Sequence, residues 1–286
     1  MGNENIYSNG NILAEIFPVS KPIIGTLHLM PLPGAPYYKG QSMDELLTYT
    51  LDEVKDLIEA GVDGLIVENH GDIPFVKPEE IGYETVSAMT YIGAEVHKYA
   101  SAHEVPIGVN CLANGGIPAL AIAKAIGAKF VRINQFVNAY VANEGIVEGL
   151  AGKILRYRSN IKAEDIAIFA DVHVKHGSHS IVADRSISEQ AKDVLFFCGD
   201  VLICTGSRTG DAPDEKEIRN IKITPDTPVI IGSGLTYENA GYLLAIADGA
   251  IVASDFKDGG VWYHKVSRER TMRLMDCVRE IRKSQD

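Results

Sequence analysis

The sequence predicts a (β/α)8 barrel in one domain, residues 1–286, with residues 1–20 as an N-terminal extension. Three observations lead there. From Lys21 onward, short runs rich in Val and Ile alternate with longer stretches of helical period, the mark of repeated βα units around a parallel sheet. Most of these runs are near-continuous in apolar residues, as strands covered on both faces must be. Eight such units occupy about 265 residues, close to the ~250 typical of this barrel. An open doubly wound sheet is the runner-up, because a unit count does not by itself prove closure.

In chain order the strand candidates are 22–29, 64–69, 106–112, 130–136, 166–175, 201–207, 228–234 and 250–255. Ser42 and Glu45 form a capping box, after which Leu47, Leu51, Val54 and Ile58 recur on one helical face. Ser186 and Glu189 repeat that device after the fifth strand. Ala240, Leu243, Leu244 and Ala247 make a later stripe, and Thr271, Leu274, Met275, Val278 and Ile281 make the last. Basic residues of this final helix are interspersed with acidic ones, as on a solvated face. Gly61, Gly127, Gly199 and Gly249 each lie where a helix gives way to a buried strand, and glycine can take the left-handed cap conformation there. One stretch breaks the rhythm. Residues 137–162, between strands four and five, exceed an ordinary crossover helix and carry Gly145, Gly149 and Gly152, so they read as a lid over the active site or as an extended helix.

Composition narrows the function classes. With 46% hydrophobic and 23% charged residues, the chain has the make-up of a soluble globular protein rather than a disordered, collagenous or coiled-coil one. Its 27 basic and 38 acidic residues give a net charge of -11, which offers nothing to a polyphosphate backbone, so nucleic acid is not an expected partner. No apolar run approaches the roughly 20 residues of a membrane span, and the N-terminus lacks the basic start and apolar core of a secretory signal. The expected location is cytoplasmic, and a homo-oligomer is compatible with all of this. Cys111, Cys198, Cys204 and Cys277 form no Cys-x-x-Cys pair and read as reduced, packed thiols.

In such a barrel the chemistry sits at the carboxyl ends of the strands. Alternation along the fifth strand puts Phe169, Asp171, His173 and Lys175 on one side. Three ionisable groups on one face of a buried strand are costly unless paired or used, so Asp171, His173 and Lys175 are catalytic candidates. A self-satisfied ion cluster sealing the barrel top is the alternative. Glu68 alternates with Ile66 and should reach the mouth as a general base or hydroxyl ligand, or else neutralise Lys175 or Arg132. Asn110, Arg132 and Asn134 supply amide and guanidinium donors for a polyhydroxylated or anionic ligand.

Gly232, Ser233 and Gly234 close the seventh strand and offer backbone N–H groups and a hydroxyl to an anion. With Ser254 after the eighth strand they suggest the phosphate cradle common at these positions of barrels. A tight turn without a ligand is the alternative, favoured by Asp255, whose charge would repel a phosphate. Thr205 and Ser207 belong to a second glycine-hydroxyl loop able to close over the same ligand. His173, His176 and His179, with His28 and His70 at other strand ends, raise a metal reading. Gly177 and Ser178 look like loop, where the three-residue spacing guarantees no geometry, so neither metal nor cofactor is expected.

The segments 25–34, 61–69, 106–110, 170–176 and 232–239 together resemble the BtpA/SgcQ family over almost the whole chain. The resemblance implies a phosphate-binding type of barrel. One branch of the family is linked to photosystem I biogenesis and others go with carbohydrate utilisation. It adds Asn69 to the substrate-binding candidates and covers Glu68, Asn110, Arg132, Asn134, Asp171, His173, Lys175 and 232–234. His70 and 177–180 depart from the family pattern, which points to altered substrate choice, and 253–256 depart from it at the phosphate end of the site, which weakens the expectation of a phosphate there. The expected function is an enzyme acting on a phosphorylated sugar or nucleotide-like molecule by general acid/base chemistry. Asp171 and His173 would exchange protons, with Glu68 as a second acid/base, and Lys175 would stabilise negative charge or form a Schiff base. Isomerase, lyase and glycoside-cleaving outcomes stay open. The alternative is a non-catalytic assembly or stability factor for a membrane complex, of the photosystem I biogenesis kind.

Overall fold

Every Val- and Ile-rich run forms its strand, and the eight strands close. The computed structural model describes residues 12–206, 211–223 and 226–284. The barrel strands are β1 (Ile23–His28), β2 (Gly64–Glu68), β3 (Ile107–Asn110), β4 (Phe130–Ile133), β7 (Ala167–Asp171), β8 (Val201–Cys204), β9 (Val229–Ile231) and β10 (Gly249–Val252), while β5 (Ala139–Ala142) and β6 (Gly145–Glu148) form a separate hairpin. All barrel pairings are parallel and run β1-β10-β9-β8-β7-β4-β3-β2 back to β1. Closure removes the open-sheet alternative.

Strand alternation sorts the core into two layers. Ile24, Ile66, Phe130, Phe169, Val201, Ile203, Ile230 and Ile251 point inward and pack with Leu13 and Phe17, so the short helix α1 (Ile12–Ile16) and the residue after it plug the amino-terminal end. Phe130 and Phe169 stack at 4.5 Å, and the ring of Phe130 occupies the space a side chain at Gly108 would need. The outward residues meet the helical stripes, including Val54 and Leu57 of α2 (Met43–Ala60) and Leu274, Met275 and Val278 of the C-terminal helix Arg268–Lys283. Each such aliphatic side chain contributes about 1.5–3 kcal/mol on burial.

The local signals are realised in detail. Both capping boxes form: the hydroxyls of Ser42 and Ser186 accept from the backbone of Glu45 and Glu189, whose carboxylates accept in return. Gly61 and Gly127 take left-handed caps (φ 89° and 78°). At the other two junctions the glycine serves differently. Cys198 itself adopts φ 60°, and Gly249 is needed because a Cβ there would press on the Pro22 carbonyl. Cys198 is also exposed, unlike the buried Cys111 and Cys204.

The 137–162 insertion is neither a plain helix nor a loose loop. It is the β5–β6 hairpin followed by the helix Ala151–Asn160. Val141 exchanges two backbone hydrogen bonds with Ser178 (3.0 and 2.8 Å), and Tyr140 and Val147 pack against Val174. The hairpin is thereby fastened to the loop after β7.

That loop also marks a difference from the sequence expectation. β7 ends at Asp171, so the alternation that would carry His173 and Lys175 onto one inward face stops there. No helix among the described residues is long and apolar enough to cross a membrane.

Candidate functional site at the carboxyl end of the barrel

Parallel register brings polar residues from four neighbouring strands to one level. His28 pairs with Glu68, Glu68 with Asn110, and Asn110 with Arg132. Glu68, Arg132 and Asp171 follow Ile66, Phe130 and Phe169 by two residues, so each sits one step above the apolar interior. Arg132 donates from Nε and Nη2 to the two oxygens of Asp171, both at 3.0 Å, with side chains 5% and 0% exposed. The cluster expected among Asp171, His173 and Lys175 is thus replaced by an Arg132–Asp171 pair between adjacent strands.

Above this level lies a cavity of about 160 Å³, roofed in part by Tyr140, Ala142, Asn143 and Glu144 of the hairpin. Among the sequence-predicted residues, Glu68, Arg132, Asn134, Lys175, Gly232, Ser233, Gly234 and Ser254 line it. Thr26, also on its wall, has a buried hydroxyl without a hydrogen-bond partner among the described residues, as has Asn110 Oδ1 just below.

Other candidates are placed elsewhere. Asn69 is a backbone latch: its amide donates to Asp72 (3.0 Å) and the Leu112 carbonyl (3.2 Å), and its oxygen accepts from Leu112 N (2.7 Å). Asn110 donates to the Arg132 carbonyl and to Asn134 Oδ1. Thr205 donates to the His173 carbonyl at 3.2 Å. Asp171 supports the cavity from beneath through Arg132. His173 turns away from it, packing on His179 with ring centroids 3.7 Å apart and lying 3.9 Å from Glu217. Ser207 lies outside the described residues.

The late loops are shaped by packing as well as by any ligand. Gly234 has φ 77° and abuts the Asp211–Ala212 backbone, leaving no room for a Cβ. Ser233 donates to the Asp211 carbonyl, and Asp255 accepts from Tyr237 N (3.3 Å) while pairing with Arg270 (2.9 Å). The turn beyond Thr236 is therefore already capped by a carboxylate, and Arg270 offsets the charge that would repel an anion. Lys257 leaves the mouth altogether, donating to both oxygens of Glu53 at 2.8 Å in a fully buried pair.

Electrostatics distinguish the ionisable groups. Burial, reinforced by the positive charge of Arg132, pushes Lys175 down to about 8 against the pull of Asp171 and Glu68. Burial and then the neighbouring His70 bring His28 to about 3, so its imidazole is neutral at physiological pH. Burial opposes ionisation of Glu68, but the hydrogen-bonding and positive groups around it, Arg132 included, outweigh burial and keep the carboxylate charged. Burial and then His179 hold His173 at about 4, whereas burial and then Asp214 raise Glu217 to about 7.

The histidines at the strand ends converge where the sequence spacing did not place them. One nitrogen each of His28 and His70 and one oxygen of Glu68 lie within 4.8 Å of one another, the one such group of potential metal donors among the described residues; His173, His176 and His179 form none. The hairpin residues Tyr140, Asn143 and Glu144 were also absent from the sequence-predicted site. The signal for them was a pair of short β-prone apolar runs, Ala139–Ala142 and Ile146-Val147, on either side of the Asn143-Glu144-Gly145 turn, shorter and weaker than a barrel strand's.

Comparison with known proteins agrees with this architecture. A mitochondrial Caenorhabditis elegans protein of uncharacterised function is 39% identical over 95% of this chain and 98% of its own. The photosystem I biogenesis protein BtpA of Synechocystis is 34% identical over 95% of this chain and 93% of its own. Among solved structures, thiamine phosphate pyrophosphorylase from Pyrococcus furiosus matches with TM-score 0.56 at 17% identity, covering 91% of this chain and 96% of that one. Phosphoribosylanthranilate isomerase from the same organism matches with TM-score 0.53 at 11% identity, covering 91% and 99%. At such identities these two establish the shared barrel only. The sequence relatives go further, because a model of the BtpA family matches residues 19–280, from ahead of β1 into the last helix, and the chain belongs to that family.

Proposed function

We propose that the protein is an enzyme acting on a phosphorylated small molecule, bound in the cavity at the barrel mouth and transformed by general acid/base chemistry. One observation carries the reading: Arg132, Lys175 and the Gly232–Gly234 turn share one cavity with the ionised Glu68. The two cations and the late-strand N–H and hydroxyl groups suit a phosphate, and Glu68 suits proton transfer or a sugar hydroxyl. Because Asp255 already caps the turn beyond Thr236, the phosphate is assigned to Lys175, Ser233, Gly234 and Ser254 rather than to a helix terminus. Lys175, with its lowered basicity, is the group to stabilise developing negative charge or to attack a carbonyl, and Asp171 is a positioning residue for Arg132. The phosphate-handling names of the two structural neighbours accord with this choice of substrate class. A cytoplasmic location is part of the same proposal.

A second reading, favoured by the name of the Synechocystis relative, is an assembly factor for a membrane complex. It gives no reason for a lysine and a carboxylate to be held together in a cavity. Thermal shift separates the two. A sugar phosphate at a hundred times its Kd should stabilise by about 2.7 kcal/mol, a rise of roughly 5–11 °C, while the free sugar does little. Equal responses to both forms, or none to any sugar phosphate in a broad panel, would refute the phosphate assignment.

A further inference from the structure

We propose that His28, Glu68 and His70 form a binding site for a single divalent transition-metal ion, zinc or a cation of similar preference, at the β1–β2 side of the barrel mouth. The site would hold whether or not the cavity takes a phosphate; with an ion bound, Glu68 serves as its ligand and not as the acid/base.

The donor set comes first. Two imidazole nitrogens and one carboxylate oxygen are the ligands that borderline cations select, and three protein ligands leave a coordination position open, as catalytic zinc sites do. All three donor atoms lie within 4.8 Å of one another. A point central to them is at most about 2.8 Å from each, against about 2.0–2.2 Å for bound zinc, and because the two imidazoles stack with 21° between their planes, a ring rotation as well as this small approach is needed to aim both lone pairs at the ion.

The surroundings orient these donors. His28 Nδ1 lies 3.1 Å from the Trp262 carbonyl. A carbonyl only accepts, so Nδ1 carries the proton and the lone pair is left on Nε2. A ligating histidine is commonly fixed in this way by a backbone carbonyl on its other nitrogen. His70 is held by rings: it stacks on His28 at 4.3 Å and meets Trp262 edge-on at 4.5 Å. Its buried Nδ1 has only a long 3.4 Å contact to Glu68 Oε1 and no other partner among the described residues. So long a contact compensates little for burying a ring nitrogen and a carboxylate, and a cation between them would satisfy both.

Charge balance agrees. Glu68 is 6% exposed, and of the cations near it Arg132 has Asp171 and Lys257 has Glu53, which leaves Lys175, lowered in basicity, to share Glu68 with a bound ion. His28, Glu68 and His70 all line the same cavity as Lys175 and Ser233, so the open position would face the ligand space. A metal there would polarise a ligand oxygen or activate a water.

The test uses the full-length protein, stripped with EDTA, dialysed and titrated with Zn2+ alone by calorimetry. One Zn2+ per chain is expected, with Glu68→Gln and His70→Ala each weakening binding by about 100-fold or more, since even a lost partner of a ligand costs 10–100-fold. His179→Ala should bind Zn2+ unchanged. A zinc-soaked crystal of the unaltered protein should give an anomalous peak among His28, Glu68 and His70, which decides the matter even if a variant fails to fold. No saturable binding, unchanged affinity in both Glu68→Gln and His70→Ala, or a peak at His173, His176 or His179 instead would overturn the site.

Discussion

Replacing Asp171 by Asn should be among the most damaging single changes in the barrel, for a reason fixed by its partner. Asp171 accepts two hydrogen bonds from Arg132 at 3.0 Å, and neither side chain is more than 5% exposed. An amide keeps the shape but removes the negative charge and one acceptor, leaving a guanidinium buried without a counter-charge. Breaking a buried pair in this manner costs about 3–5 kcal/mol. For a chain of this size that corresponds to a fall in melting temperature of roughly 6–20 °C. Differential scanning calorimetry at neutral pH measures it directly. If the cost is the stranded charge, Asp171→Leu combined with Arg132→Met should recover most of the loss, because apolar replacements of a buried pair are often neutral or better. Lys175→Met should leave stability unchanged or raise it, since Lys175 belongs to the cavity and not to this pair. A fall of less than about 2 °C for Asp171→Asn, or a double variant no better than the single one, would refute the assignment of Arg132 as the structural partner.

Three further outcomes are expected. Glu53→Ala, which strands Lys257 in a fully buried position, should destabilise by about 3–5 kcal/mol in urea melts, and Lys257→Met in the same chain should restore much of it. Glu217, raised to about 7, holds its proton more tightly folded than unfolded, so its contribution to stability is complete below its ordinary pKa and lost as pH rises through about 7. Melts of Glu217→Gln between pH 4.5 and 7 should therefore lack a downward component that the parent shows; identical slopes would count against it. Gly234→Ala should lower the melting temperature with no ligand present, because φ 77° and the Asp211–Ala212 backbone both disfavour a Cβ. A neutral result would mean that the turn relaxes.

The barrel was legible because two periods do the work. Apolar runs named all eight strands, and capping boxes at Ser42 and Ser186 named two helix starts. Inward placement of Glu68 and Asp171 followed from period two, which holds as long as the strand does. It fails at Asp171, where β7 ends, so His173 left the site while Lys175 reached it through a loop that alternation cannot describe. The partner of Asp171 was hidden for a different reason: strand-to-strand register is not written in either strand alone. Asn69 and Thr205 show a third limit. A polar side chain at a strand end can serve a ligand or the backbone of the next loop, and here both bond to backbone. His28 and His70 were visible as strand-end histidines, but their convergence with Glu68 depends on closure of the sheet.

The most direct measurement is a crystal structure of the protein soaked with a sugar phosphate that raises its melting temperature. The account predicts phosphate density within hydrogen-bonding distance of Lys175, Ser233 or Gly234, with the sugar lying toward Glu68 beneath the β5–β6 hairpin. A phosphate bound outside the barrel mouth, or a sugar moiety facing away from Glu68, would contradict it.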